Sequence, residues 1–122
     1  MKSIVSVLML TAVVALFFTA CGWNPSVPEV PITAPWDKMN LPVKEDARVW
    51  ASDDKTLKVV HKDDRREVAQ SYLDALEKDG WKQTTQPEVR DTAMTFNFEK
   101  GGQKIEVEVY DFENTGVIIQ KK

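Results

Sequence analysis

The sequence contains almost no cysteine or histidine, two residue types from which catalytic and metal centres are often built. Its 122 residues include one cysteine, Cys21, and one histidine, His61. A single cysteine excludes an internal disulfide and a multi-thiolate metal site, and a single histidine excludes a cluster of imidazole ligands. A glycine-rich phosphate loop and a calcium loop of the DxDxDG type are missing as well. We therefore expect no cofactor, no bound metal and no enzymatic activity.

The overall charge gives no reason to expect a nucleic-acid partner. Sixteen Lys and Arg residues against 19 Asp and Glu residues give a formal net charge of -3. Nucleic-acid binding depends mainly on clustered lysine and arginine side chains that neutralise phosphates. A chain of this length also forms one small domain at most.

Charges and prolines divide the chain into three unlike segments. Residues 1–20 carry one charged side chain, residues 21–44 hold five of the six prolines, and residues 45–122 hold 13 Lys and Arg with 17 Asp and Glu. We interpret these segments as a cleaved signal peptide, a Pro-rich tether that begins at Cys21, and a small folded domain.

The first segment has the architecture of a secretory signal. The positive charge of Lys2 precedes an apolar run over residues 4–18, and small residues follow that run. A permanent membrane anchor usually needs about 20 apolar residues. This run is shorter and is interrupted by Ser6 and Thr11. A cleaved signal therefore fits better than a membrane span.

The motif Phe18-Thr19-Ala20-Cys21 resembles the lipobox of bacterial lipoproteins, although Phe18 stands where that family most often has leucine. The resemblance covers residues 1–21 only. It implies a thioether-linked diacylglycerol on Cys21, with palmitate as a label for the attached chains, and a bacterial cell-envelope location. Because Gly22 follows instead of aspartate, it also implies the periplasmic face of the outer membrane in a Gram-negative host. The alternative is an incidental cysteine near an ordinary cleavage site.

Prolines recur every three or four positions over residues 22–44. Each removes a backbone donor and disfavours helix at the residue before it, so extended polyproline II structure is predicted. A spacer of about 20 residues would reach about 60 Å at roughly 3.1 Å per residue. We expect Trp36 to pack back onto the domain, whereas Trp23 either belongs to the spacer or contacts a partner or the lipid headgroups.

Residues 45–122 predict an α+β domain in which one amphipathic helix packs on an antiparallel sheet. Asp64 is a suitable helix N-cap, Gly80 is a suitable stop, and the apolar residues between them share one face: Val68, Tyr72, Leu73 and Leu76. Runs of β-forming residues predict six strands, at 48–52, 56–61, 81–85, 93–100, 103–111 and 117–121. No motif in the domain identifies its family.

The strongest prediction is the register of one hairpin. Gly101-Gly102 suits a two-residue turn between the fourth and fifth predicted strands. With Lys100 opposite Gln103, Phe96 faces Val107 and six apolar side chains share one face of the sheet. A strand over 117–121 adds to the same face in phase.

Four residues are candidates for a binding surface. Arg65 and Arg66 lie at the helix start, where the macrodipole favours anions. They either pair with neighbouring carboxylates or contact an acidic partner or anionic glycan. Trp50 and Trp81 either belong to the core and its edge, or one of them lines a ligand groove.

Other polar residues receive structural interpretations. His61 is interpreted as a strand-end residue near Asp63. Glu106 and Glu108 alternate with core residues and are expected to face water. The paired aspartates of the domain are interpreted as turn and cap residues. We expect substitutions at His61, Glu106 and Glu108 to leave stability almost unchanged.

These features favour a membrane-anchored accessory or scaffold lipoprotein that presents its domain to an envelope protein partner. One alternative is a binder of a small molecule or glycan in a cleft between helix and sheet. Another is a lipoprotein inhibitor or immunity factor. Edge strands that can accept a partner strand favour the accessory role. The size of the 78-residue domain disfavours an internal ligand, because its apolar residues are needed to close a core.

Overall fold

The computed structural model describes residues 23–122, so the signal-peptide and lipidation predictions lie outside the described residues. In chain order the elements are a 3₁₀-helix Trp36–Lys38, β1 Arg48–Ser52, β2 Thr56–His61, α1 Arg65–Lys78, β3 Lys82–Gln83, β4 Glu88–Val89, β5 Ala93–Lys100, β6 Gln103–Tyr110 and β7 Thr115–Lys121. The strands form one antiparallel sheet in the order β1-β2-β7-β6-β5-β3, and β4 also pairs with β5. The predicted α+β class is confirmed.

Within residues 23–122, no helix has both the length and the apolar composition that crossing a membrane requires.

Helix α1 begins and ends where the sequence predicts. The Asp64 carboxylate accepts a hydrogen bond from the Arg66 N–H at 3.2 Å, which caps the first turn. At the other end Gly80 has a φ of +94°, and the N–H groups of Gly80 and Trp81 donate to carbonyls of the last helical turn. This Schellman motif reverses the chain and sets Trp81 at the end of the helix.

The β5–β6 hairpin has the predicted register. Gly101 and Gly102 have φ values of +56° and +81°, as a two-residue hairpin turn requires. Phe96 lies opposite Val107, and every other predicted pair of these two strands is present. Strand β7 joins β6 in the predicted phase.

The sheet edge beyond β5 is irregular. Of the strand predicted over 81–85, only Lys82–Gln83 pairs with β5, and Glu88–Val89 adds a second two-residue pairing. All residues from 82 to 92 are exposed. This edge therefore offers a partner only short, interrupted stretches of strand.

Helix and sheet bury each other. The helix contributes Val68, Ala69, Tyr72 and Leu76. The sheet contributes nine apolar side chains, all at most 3 % exposed: Leu57, Val59, Phe96, Phe98, Ile105, Val107, Val109, Val117 and Ile119. These side chains fill the space between the two layers.

Residues 24–36, here called the strap, lie along β1 and run in the same direction as that strand. The Val30 N–H donates to the Val49 carbonyl at 2.8 Å, and further along the Thr33 N–H donates to the Ser52 hydroxyl at 2.9 Å. The prolines predicted an extended spacer that holds the domain away from the membrane. Residues 24–36 instead pack along β1. The N–H groups of Val30 and Thr33 donate to β1, and partly buried apolar side chains of the strap pack against the core.

Trp36 ends the strap and completes the core. Its side chain is 1 % exposed, and its indole Nε1 donates to the Asp53 carbonyl at 2.6 Å. Met39 follows in the same cluster. The expected packing of Trp36 onto the domain is confirmed, and the core begins before residue 45. Residues 45–122 alone therefore lack part of the core.

Candidate functional site

An open cleft of about 660 Å³ lies at the end of the domain where α1 finishes, here called the far end. The cleft floor is formed by apolar side chains from four parts of the chain: Trp36, Met39, Trp81 and Ile105. The opposite end, called the near end, contains the start of α1, the β6–β7 turn and the first residues of the strap. The cleft and the near end are separated by the length of the strands.

Local structure explains how the floor is built. Trp36 is held by the 3₁₀-helix, and Trp81 is set in place by the Schellman motif at the end of α1. Trp81 is 6 % exposed, and its indole Nε1 is buried without a hydrogen-bond acceptor among residues 23–122. The floor is therefore built from side chains that are mostly packed into the core, with one buried donor left unpaired among the described residues.

The cleft rim is strongly basic. Five exposed lysines line it, against one carboxylate side chain, Asp79: Lys38, Lys100, Lys104, Lys121 and Lys122. The rest of the chain must therefore carry the excess of acidic charge that gives the net value of -3.

The five lysines differ in their local partners. Lys100 lies 3.6 Å from the Asp79 carboxylate, and Lys122 lies 2.9 Å from the Glu106 carboxylate. The other three have no carboxylate within 4 Å in the part of the chain that the structure describes. Their charges are balanced mainly by solvent ions, so an anionic partner can replace those ions.

The sheet face that points away from α1 carries an aromatic cluster. The rings of Trp50 and Phe112 stack with centroids 5.9 Å apart, and Tyr110 lies 6.1 Å from Phe112. The Lys58 ammonium lies 5.0 Å from the Trp50 ring centroid, as in a cation–π contact. Trp50 sits at a register shift in β1, which lets it turn onto this face. The alternation of residues predicts that this face is exposed to solvent. The aromatic cluster covers part of it.

Gly116 makes room for one member of this cluster. A Cβ atom at Gly116 would overlap the ring of Tyr110, its partner across β6 and β7. The Gly116 φ is not in the left-handed region, so the requirement for glycine here comes from the close approach of the ring.

His61 is a core residue and not an exposed one. It is 2 % exposed, and its Nε2 is joined to the Tyr72 hydroxyl by a hydrogen bond of 2.8 Å. Burial lowers the pKa of His61 to about 4, against the opposing effect of the Asp63 charge. Because the side chain is buried and hydrogen-bonded, we expect substitution here to lower stability, contrary to the expectation from sequence. The imidazole ring is neutral at pH 7 and packs as part of the core.

The two arginines lie at the near end, away from the cleft. Arg65 donates to the Asp91 carbonyl at 3.0 Å and lies 3.5 Å from the Asp111 carboxylate. This partner is distant in sequence and is not one of the neighbouring carboxylates. Arg66 is exposed. The structure does not bring Arg65 or Arg66 together with Trp81 at the cleft, and Trp50 lies on the opposite face of the sheet.

The first residues of the strap are held at the near end by two side chains. Arg48 donates to the Pro25 carbonyl at 3.1 Å and to the Val27 carbonyl at 2.6 Å. The Ser26 N–H and hydroxyl donate to the Glu113 carboxylate, and these hydrogen bonds lower the pKa of Glu113. The strap is therefore fixed at its start as well as along β1.

In residues 23–122, no group of three or more His, Cys, Asp or Glu side chains is arranged to hold a metal ion.

A family model described as START domain-like matches residues 55–116. The match runs from the turn before β2 into β7 and includes α1. It leaves out the strap, β1 and the end of β7, which supplies Lys121 to the cleft. No curated protein and no solved structure shows significant similarity to the chain.

Proposed function

The chain belongs to the START domain-like family, and we propose that it presents this domain as a lipid-anchored accessory protein of the bacterial cell envelope. In this proposal Cys21 carries the lipid, and the far end of the domain faces an envelope protein partner. The domain acts by binding and not by catalysis. In a Gram-negative host the anchor lies in the outer membrane and the domain in the periplasm.

The observation that carries this proposal is the way in which the strap is held. Arg48 and Glu113 fix the strap from Asn24 to Val27 at the near end. Asn24 is three residues after Cys21, and three residues span at most about 11 Å. A lipid on Cys21 would therefore keep the near end within about 11 Å of the membrane surface.

The same geometry supports one orientation of the domain relative to the membrane. The strap runs parallel to β1, from the near end to Trp36 at the cleft. The eight residues of β5 span roughly 26 Å at about 3.3 Å per residue. In this proposal a cleft at that distance from the anchor would open away from the membrane, where a partner would have access to it.

The polar residues support a binding role over catalysis. His61 is buried against Tyr72, out of reach of a substrate. Glu106 is paired with Lys122 on the face of the sheet away from α1. General acid-base chemistry needs such groups at a site that a substrate can enter.

Two alternatives receive less support. A ligand held between helix and sheet would have to displace packed side chains such as Leu57 and Leu76, which are fully buried. Addition of a partner strand at β1 would have to displace the strap. The prolines of the strap also lack the N–H donors that a further strand would need.

Metabolic labelling with palmitate tests the anchor. The full-length chain produced in bacteria should incorporate label and fractionate with membranes, whereas Cys21→Ser should remain unlabelled and be released or stay as a precursor. Label on the serine variant would contradict the lipid at Cys21.

Fluorescence quenching in proteoliposomes tests the direction. A fluorophore on a cysteine introduced at Asp91, at the near end, should be quenched more strongly by spin-labelled lipids than one introduced at Gln103, at the far end. Both positions are exposed. Equal quenching at the two positions, or stronger quenching at Gln103, would contradict the arrangement even if Cys21 is lipidated.

A further inference from the structure

We propose that the cleft at the far end binds an acidic protein segment that inserts one apolar side chain against the tryptophan floor. This inference deepens the proposed function by giving the chemistry of the partner. Its binding test does not depend on a lipid at Cys21, so the two proposals can fail separately.

The charge of the rim favours an anionic partner. Five lysines line the opening, and two of them, Lys100 and Lys122, are paired with the carboxylates of Asp79 and Glu106. Lys38, Lys104 and Lys121 have no ion pair among the described residues. Exposed lysines on flexible stems attract carboxylates from a distance and accelerate association, and they can adapt to carboxylates at several positions along a peptide.

The floor favours an apolar contact beneath the charges. Trp36 and Trp81 both line the recess, together with Met39 and Ile105. Tryptophan in a well-packed recess is among the residues that contribute most to protein–protein binding. Surrounding lysines would form the polar rim that such contacts usually have. The recess therefore suits a segment in which acidic residues flank a leucine, phenylalanine or similar side chain.

The open shape favours a protein segment over a small amphiphile. Sites for small ligands usually cover most of the ligand surface. This cleft is open to solvent on one side, and the adjoining helix–sheet interior is closed by packed side chains. A segment that belongs to a folded partner can cover the open side itself, whereas a small ligand would leave much of its surface in water.

The cleft combines parts of the chain inside and outside the matched family region. Trp81 and Lys104 belong to the matched residues 55–116, whereas Trp36 and Lys121 do not. The strap thus has a role in binding as well as in stability. Removal of Trp36 would take away part of the floor on which the segment rests.

Selection from a random 12-residue peptide library tests this inference. The full-length chain is used, reconstituted in phosphatidylcholine nanodiscs if it purifies with membranes and directly if it is soluble. Enriched peptides should combine several Asp or Glu residues with an aliphatic or aromatic residue. Their binding should weaken as salt is raised, because the exposed charges are screened.

Two variants of equal charge change make the test specific. The double variant that combines Lys104→Gln and Lys121→Gln should raise the Kd of an enriched peptide about tenfold or more, because two rim charges are lost. Lys62→Gln with Arg66→Gln removes two exposed charges at the near end and should leave the Kd within about twofold. Circular dichroism of both double variants checks that the fold is retained.

Three outcomes would overturn the inference. The first is a library without enriched peptides, or with enriched peptides that lack acidic residues. The second is unchanged binding to the Lys104→Gln, Lys121→Gln variant. The third is displacement of a bound peptide by monomeric dodecyl phosphate at a concentration below the Kd of that peptide. This result would assign the cleft to a small anionic amphiphile.

Discussion

His61 Nε2 and Tyr72 Oη lie 2.8 Å apart in the core, where the imidazole ring meets the phenol ring edge-on. The bond joins the end of β2 to the middle of α1. Both side chains are at most 2 % exposed, so each satisfies the polar group of the other. This pair couples the packing of helix and sheet to the protonation state of one imidazole.

The free energy of unfolding should therefore fall as the pH is lowered from 7 towards 4. Burial lowers the pKa of His61 from 6.5 to about 4, so the unfolded chain binds a proton that the folded protein rejects. This contribution is complete above the unfolded pKa and is lost progressively as the pH falls from 6.5 to about 4. The loss amounts to about 3 kcal/mol near pH 4. Urea unfolding followed by circular dichroism at pH 7, 6 and 5 measures it.

A His61→Gln variant is the matched control. Glutamine retains a polar group for Tyr72 but does not titrate in this range. Its stability should be lower than that of the natural protein at pH 7 and should change little between pH 7 and pH 5. An equally steep pH dependence in both proteins would assign the effect to other groups.

Replacement of Gly116 by alanine should destabilise the protein by about 1 to 3 kcal/mol, because the added methyl group meets the Tyr110 ring. The same replacement in a Tyr110→Ser background should have little effect. A double-mutant cycle of thermal or urea unfolding gives the coupling energy between the two positions. Equal costs in both backgrounds would show that the ring does not set the requirement for glycine.

Removal of residues 23–44 should greatly weaken the cooperative unfolding of the domain. Loss of the buried Trp36 side chain alone is expected to cost about 3 to 5 kcal/mol, a large share of the stability of a small domain. The test compares the urea unfolding midpoints of residues 23–122 and residues 45–122, with Trp36→Ala in the longer chain as the control. Equal midpoints for the two lengths would show that the strap is dispensable for the core.

Arg48→Ala should release the start of the strap while leaving the sheet intact. The variant loses the hydrogen bonds to Pro25, Val27 and Asn24. Hydrogen exchange measured by mass spectrometry should become faster over the first residues of the strap and stay unchanged over β6. Arg90→Ala removes an exposed arginine near Glu88 and should leave exchange in the strap unaffected. Unchanged protection in Arg48→Ala would contradict the role given to this side chain.

The elements confirmed from sequence are those in which local chemistry and periodicity agree. Asp64 and Gly80 delimit α1 because caps and stops act within a few residues. Gly101-Gly102 fixes the β5–β6 register because a shift by one residue would turn all apolar side chains to the other face. Such signals are contained in short windows of sequence.

The features missed from sequence depend on contacts between distant segments. Prolines indicate an extended backbone but do not show what that backbone contacts, so the docking of the strap on β1 was missed. His61 is polar, and only its pairing with Tyr72 accounts for its burial. The cleft was missed because its lysines are scattered from Lys38 to Lys122. The hairpin register did predict that the β5–β6 turn and the end of β7 lie at the same end of the sheet. The lysines of these two segments could therefore have been placed together from sequence.

The contact between Ser26 and Glu113 spans 87 residues. If the chain is secreted as proposed, its amino-terminal side crosses the membrane first, and Glu113 follows 87 residues after Ser26. The start of the strap would then stay undocked until Glu113 has crossed. An enzyme that modifies Cys21 in that interval would meet an undocked peptide, whereas after docking it would meet a folded domain three residues away. Under the proposed function, the order of translocation would therefore separate a period for processing from a period for folding.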